Sequence, residues 1–247
     1  MVDHAYTDER LAALYDALNT GRADVEFYLP LIAAAEAVLD VGCGTGTLLH
    51  EARQAGHTGR LRGLDPAPAM LARARERTDI EWLPGDLRTA PQPPGFDLVV
   101  MTGHAFQELR TDDELRGTLA AVRAALRPGG RFAFETRNPA ARAWERWTPE
   151  HAREITVGGE TVRVTHEVGT PPGDGLVRFT ETFTGADWED RSTSVLRFTG
   201  EAELDRFLAE AGLRAVERFG DWDHGPVTPD SPELITVATV VKPAVGR

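Results

Sequence analysis

The 247-residue sequence has a single cysteine, Cys43, so no disulfide can form within the chain. It has no apolar run of membrane-spanning length, and Met1-Val2-Asp3-His4-Ala5-Tyr6-Thr7-Asp8-Glu9 lacks the apolar centre of a signal peptide. Positive charge is scarce: 27 Lys and Arg stand against 39 Asp and Glu, a net charge of −12. Without a run of clustered Lys and Arg the chain is poorly suited to a phosphate backbone, so no nucleic-acid substrate is expected. His50, His57, His151 and His166 have no metal-ligand spacing with one another or with the cysteine, and no metal is expected. These absences predict a cytoplasmic protein acting on something small, with no membrane partner, in a chain long enough for a substantial core.

The chain is organised around Val38-Leu39-Asp40-Val41-Gly42-Cys43-Gly44-Thr45-Gly46. An apolar run ends at an acid, three glycines alternate, and a helical pattern follows over 45–55. Strand, glycine turn and helix bring backbone N–H groups and a positive helix end to a nucleotide-like ligand. A dinucleotide fingerprint spaces its glycines G-x-G-x-x-G, but Thr47 stands where its last glycine is required. Asp40 would repel a pyrophosphate and suits a ligand carrying an ammonium group. Both features argue against a nicotinamide-dependent oxidoreductase and for a cationic nucleoside.

Asp40-x-Gly42-x-Gly44-x-Gly46 resembles motif I of the class I S-adenosylmethionine (SAM)-dependent methyltransferases, and the likeness continues in order along the chain. Asp65 ends a short second strand, Arg60-Leu61-Arg62-Gly63-Leu64, about twenty residues beyond the turn, where the family's acid takes the ribose hydroxyls. The resemblance implies that Pro66 and Met70 border the adenine, and that Asp86 and Leu87 of Gly85-Asp86-Leu87 hold its edge. Phe96-Asp97-Leu98-Val99 matches the entry to the fourth strand, and Leu126-Arg127-Pro128-Gly129-Gly130 the turn before the fifth. Cofactor contacts are thus expected from Tyr15, Asp40, Gly42, Cys43, Gly44, Gly46, Asp65, Pro66, Met70, Asp86, Leu87, Thr102, Gly103 and Phe106.

The implied fold is α/β, a seven-stranded Rossmann-like sheet of order 3-2-1-4-5-7-6 with its last strand antiparallel. Residues 1–37 form a helical flap: Thr7 caps a helix with Leu11, Leu14, Tyr15 and Leu18 inward, and a second runs over 24–37, broken or restarted at Pro30. Residues 38–136 are the SAM-binding core, with 80–83 its third strand and Thr111-Asp112-Asp113-Glu114 a capping box. From 137 to 198 the pattern becomes that of antiparallel strands at 155–157, 161–165, 177–183 and 192–198. Gly158-Gly159 gives a hairpin turn and Pro171-Pro172-Gly173-Asp174-Gly175 a longer one, and the insertion roofs the acceptor. Residues 199–247 complete one methyltransferase domain, Thr199 capping its helix.

The segment after the fourth strand, Met101-Thr102-Gly103-His104, is not the Asn/Asp-Pro-Pro-aromatic turn of enzymes that methylate exocyclic amines of DNA bases. The only cysteine lies in the glycine turn, which removes cytosine C5 chemistry. The expected reaction is in-line methyl transfer from SAM, leaving S-adenosylhomocysteine, to oxygen or nitrogen of a small-molecule acceptor. His104 is the first candidate base or orienting group, with Glu135, Arg137 and His224 behind it. A noncatalytic SAM-binding regulator of the same fold is the alternative.

Overall fold

A computed structural model describes residues 2–21, 23–169 and 175–241. The chain opens with α1 (His4–Thr7), α2 (Glu9–Leu18) and α3 (Ala23–Ala33). Asp8, not Thr7, caps α2: its Oδ1 accepts from the amides of Arg10 and Leu11 at 2.9 and 3.0 Å. The Thr7 hydroxyl instead donates to the carbonyls of Asp3 and His4, closing α1 as a separate turn. α3 runs unbroken through Pro30 and stops before the expected end. Pro30 is exposed, so the carbonyl it leaves unpaired is open to water, while Val25, Phe27, Tyr28 and Ile32 bury the opposite side.

β1 (Ala37–Val41), α4 (Thr47–Gln54), β2 (Arg60–Asp65), α5 (Pro68–Ala74), β3 (Glu81–Pro84) and β4 (Phe96–Met101) follow. β3 sits one residue beyond its expected place because the ladder pairs Leu64 with Leu83 and Asp65 with Pro84. α6 (Asp112–Ala125) carries the expected capping box, both reciprocal bonds being present between Thr111 and Glu114. β5 (Leu126–Arg137) absorbs the Pro-Gly-Gly turn as an irregularity: Phe96 pairs with Leu126, but Leu98 pairs with Arg131.

Next come β6 (Arg153–Val157), β7 (Glu160–Val168), β8 (Leu176–Thr184) and β9 (Glu189–Arg197), a four-stranded antiparallel sheet in that order. Gly158 and Gly159, both at positive φ, make the β6–β7 hairpin, whereas residues 171–174 of the second expected turn lie outside the described residues. α7 (Glu201–Glu210) starts one residue later than expected. Gly200 is its cap, the Gly200 carbonyl taking the amides of Glu203 and Leu204, and Thr199 is buried before it. β10 (Leu213–Phe219) and β11 (Glu233–Val240) close the large sheet in the order β3-β2-β1-β4-β5-β11-β10, the expected topology once the inserted strands are counted. β11 runs antiparallel to both neighbours.

The central strands are continuously apolar because helices cover both faces. Val99, Phe132 and Phe134 face Leu115, Leu119 and Val122 of α6 and Leu204, Phe207 and Leu208 of α7. Leu98, Val100 and Ala133 face Tyr28 and Ile32 of α3 and Leu48 and Leu49 of α4. Each such side chain contributes roughly 1.5–3 kcal/mol by leaving water. The second sheet packs Val162, Val164 and Phe183 on Ala5, Leu11 and Leu14 of the first two helices. Among the described residues no helix is long and apolar enough to cross a membrane.

Gly63 on β2 lets the Trp82 ring lie across its strand. An alanine Cβ there would overlap that ring and come within 2.8 Å of Cys43 Sγ. Gly63→Ala should therefore lower stability by about 1–3 kcal/mol, read as an earlier urea midpoint. An unmoved midpoint would show that Trp82 yields freely.

Candidate functional site

The parallel strands β1 and β4 end together, and the loops leaving them face each other. After β1 the backbone turns through Gly42 at φ +75°, where an added Cβ would stand 2.7 Å from the Ala105 Cβ in the loop after β4. Gly46 occupies the cap position of α4 in the left-handed conformation, which starts that helix at Thr47 rather than at 45. Asp65, at the end of β2, accepts from the Gly44 amide with Oδ2 and from the Ala67 amide with Oδ1, both at 2.8 Å. Burial pushes its carboxyl up, against the pull of these two amides. Burial first, then the Asp40 and Asp65 charges, raise the Cys43 thiol well above its ordinary range, so it is no thiolate nucleophile.

A narrow cavity of about 20 Å³ lies against the turn, between Tyr15 on one side and Thr102 and Gly103 on the other. A Cβ on Gly103 would come 3.3 Å from the Tyr15 hydroxyl, and one on Gly44 would come 3.3 Å from Met70 Cε. Asp16 ties the same helix to the turn: Thr45 donates to its Oδ1 at 2.6 Å and Thr47 at 3.3 Å. The glycines are thus places where backbone must stay bare for close approach, and the carboxylates of Asp40 and Asp65 are both buried beside them. Backbone amides, bare glycines and two acids form a donor and charge set that fits a cationic nucleoside.

A second constellation stands at the ends of β4, β5 and β11. Glu135 is fully buried; it accepts from the Tyr28 hydroxyl at 2.5 Å and the His104 amide at 2.8 Å. Burial pushes the Glu135 carboxyl up, opposed by the charge of His104 and by these two donors. His104, at φ +62°, places Nε2 at 3.0 Å from both carboxylate oxygens of Glu233, the first residue of β11. Arg137 donates to Gln107 Oε1 at 2.9 Å and lies 5.3 Å over the Trp147 ring, where burial lowers its pKa. Tyr6 of α1 meets Tyr15 of α2 edge-on at 6.2 Å.

The residues expected from sequence fall into three groups. Tyr15, Gly42, Cys43, Gly44, Thr102 and Gly103 line the cavity, with Asp40, Gly46, Asp65 and Met70 around it and Pro66 exposed beside Asp65. Asp86 spends its carboxylate on the Arg88 and Thr89 amides, and Leu87 and Phe106 are packed in the core, Phe106 stacked on Phe134 at 4.3 Å. His104, Glu135 and Arg137 come together, but His224 does not join them; it stacks on Phe27 at 4.6 Å beside Phe219. Sequence reasoning missed Asp16, Tyr28, Gln107 and Glu233, which reach the site from α2, α3, the loop after β4 and β11. Only Asp16 had a sequence signal, as the polar neighbour of Tyr15.

A family profile described as a methyltransferase domain matches residues 38–130. The chain is 34% identical over 192 residues to a dTDP-3-amino-3,4,6-trideoxy-alpha-D-glucopyranose N,N-dimethyltransferase of Streptomyces venezuelae, covering 73% of this chain and 76% of that one. It is 38% identical over 140 residues to a 2-phytyl-1,4-naphtoquinone methyltransferase of Thermosynechococcus vestitus, 51% of this chain and 60% of that protein's length. The structure of an amino pentose methyltransferase from Micromonospora echinaspora, solved with SAM bound, superposes with a TM-score of 0.70 at 27% identity, covering 92% of this chain and 94% of that one.

At the rim, Arg110 Nη2 lies 2.8 Å from both Asp3 and Glu108. Burial first and the Asp3 charge second push the Glu108 carboxyl up to about 7, although Arg110 opposes them. A carboxyl raised on folding gives stability that is present below its unfolded pKa and lost as pH rises through the folded one. Between pH 5 and pH 8 the protein should therefore lose about 1–2 kcal/mol that Glu108→Gln retains, the figure being reduced for solvent screening. Urea unfolding of both proteins at the two pH values checks this; parallel losses would refute it.

Proposed function

The chain belongs to the class I SAM-dependent methyltransferases, and from that premise we propose that it methylates an amine nitrogen of a small molecule, with His104 receiving the acceptor's proton. SAM supplies a methyl group on a positively charged sulfur, open to in-line attack. In this reading the glycine-turn amides and Asp40 hold the amino-acid end of SAM, Asp65 takes the ribose, and Tyr15 and Met70 form walls. Asp65 would exchange its bond from the Gly44 amide for ribose hydroxyls. Asp86, with Leu87 behind it, meets the adenine edge once its carboxylate leaves the Arg88 and Thr89 amides.

The observation that carries the acceptor chemistry is the His104–Glu233 pair at 3.0 Å, with His104 anchored from below by Glu135. An amine arrives mostly as an ammonium ion, which acids attract, and it must lose a proton before nitrogen can attack. Glu233 orients the imidazole and stabilises it once charged, while the fixed backbone of His104 keeps the ring in one place. The amino-sugar activities of the Streptomyces venezuelae and Micromonospora echinaspora proteins support nitrogen over oxygen. The same proposal makes 1–247 one methyltransferase domain working in the cytoplasm, with the second sheet as roof over the acceptor.

His104→Asn tests the base, because asparagine tolerates the left-handed backbone at this position. Methyl transfer to a panel of amino sugars, followed by mass spectrometry, should fall about 10²–10⁴-fold in kcat/KM. SAM affinity by calorimetry should stay unchanged, and the deficit should shrink at high pH as free amine accumulates. Full turnover by the variant would remove His104 from this role.

A further inference from the structure

The inner face of the second sheet breaks its own pattern. Alternation along β7 turns Val162, Val164, His166 and Val168 to one side, and along β8 Val177, Phe179, Glu181 and Phe183. Val162, Val164 and Phe183 belong to the apolar cluster under α1 and α2. Val168, Val177 and Phe179 belong to a second cluster with Phe198, Trp144 and Trp147. Between the two lies one titratable pair, His166 directly opposite Glu181, with Nε2 and Oε1 3.0 Å apart and side chains 22% and 19% exposed. The next residue across is Ser192 of β9, whose hydroxyl is bonded to the Ala5 amide.

A hydrogen-bonded histidine–carboxyl pair set between two apolar clusters is an expensive way to close a sheet. His166 Nδ1 and Glu181 Oε2 make no hydrogen bond among the described residues. One end of the pair lies near the first helices: burial first, with the Glu181 charge among the lesser causes, raises the Tyr6 phenol, and Tyr6 meets Tyr15, which lines the glycine-turn cavity. On its other flank His166 lies 6.1 Å from the Phe179 ring, Phe179 lies 4.8 Å from Trp147, and Trp147 carries Arg137. A chain of ring contacts thus runs from Arg137, at the end of β5, through Trp147 and Phe179 to this pair.

We propose that His166 and Glu181 are specificity-determining residues that bind hydroxyl groups of the acceptor remote from its reacting nitrogen, so that the acceptor is a hydroxylated cyclic amine of the amino-sugar type. A carboxylate accepts from ring hydroxyls, an imidazole nitrogen complements them, and an aromatic wall receives the C–H face of a saturated ring. The proposal rests on the reading of this site as an amine methyltransferase, and its test separates the two.

The protein loaded with S-adenosylhomocysteine is titrated by calorimetry with D-glucosamine and with cyclohexylamine, which shares the ring and amine but has no hydroxyls. The expected result is glucosamine binding at least about tenfold tighter, with Glu181→Gln and His166→Gln each reducing that preference several-fold. S-adenosylhomocysteine affinity should be kept in both variants, a readout that also reports folding. Equal or tighter binding of cyclohexylamine to the unsubstituted protein overturns the proposal without any variant, as does failure to bind either probe. A preference unchanged in folded variants overturns it too. Methyl transfer is assayed separately: glucosamine that binds with the stated preference but never gains a methyl group leaves the roof assignment standing and sinks the amine reaction.

Discussion

Glu135 carries a carboxyl group with no solvent exposure, held between the Tyr28 hydroxyl and the His104 amide. Burying such a group in an apolar sheet is unfavourable unless its lone pairs are satisfied, so the two donors are a condition of the fold as it stands. One donor belongs to α3 and the other to the loop after β4, and Glu135 lies on β5. The carboxyl therefore sets the distance between a helix ahead of the first strand and a loop past the fourth. Burial also raises the pKa of Tyr28, with Glu135 adding to it, so the phenol stays a donor across the neutral range. His104 then has its backbone fixed from below and its ring fixed by Glu233 from the side, leaving one imidazole in a defined place.

The parts legible in the sequence are those whose physics is local. The glycine turn is one uninterrupted stretch, and the acid at Asp65 ends the short second strand about twenty residues on. The Thr111–Glu114 capping box was readable for the same reason, since four consecutive residues contain both of its bonds. Where local signals competed, the boundary moved. Asp8 outbid Thr7 as a cap because a carboxylate takes two amides at once, and exposed Pro30 was tolerated because the buried side of α3 holds the helix.

What could not be read is joined across long stretches of chain. Glu233 meets His104 only because β11 inserts antiparallel between β5 and β10, which brings its first residue to the ends of the parallel strands. Tyr28 reads as one more aromatic in an amphipathic helix until Glu135 is placed opposite it. His224 stands apart from His104 for the converse reason: its loop returns toward the sheet, but its ring stacks on the aromatic face of Phe27. Phe106 and Leu87 are likewise placed by long-range packing, their apolar side chains gaining from burial in the core beside the crevice.

The division of labour between the two sheets follows from these ranges. The large sheet brings the glycine turn, Asp65 and His104 to its strand ends, and those positions are fixed by a core covered on both faces. The second sheet touches the flap through Val162, Val164 and Phe183, and it reaches α6 and α7 through the exposed Arg197–Asp112 pair and the Arg197–Glu203 pair. Its inner face is free to carry polar residues because apolar clusters on either side of His166 and Glu181 hold the strands in register. A substitution in that seam leaves the bonds of Glu135 to Tyr28 and His104 in place. The His166–Glu181 pair and the His104–Glu135–Glu233 group thus have no hydrogen bond in common, so a change in the second sheet leaves the glycine turn undisturbed.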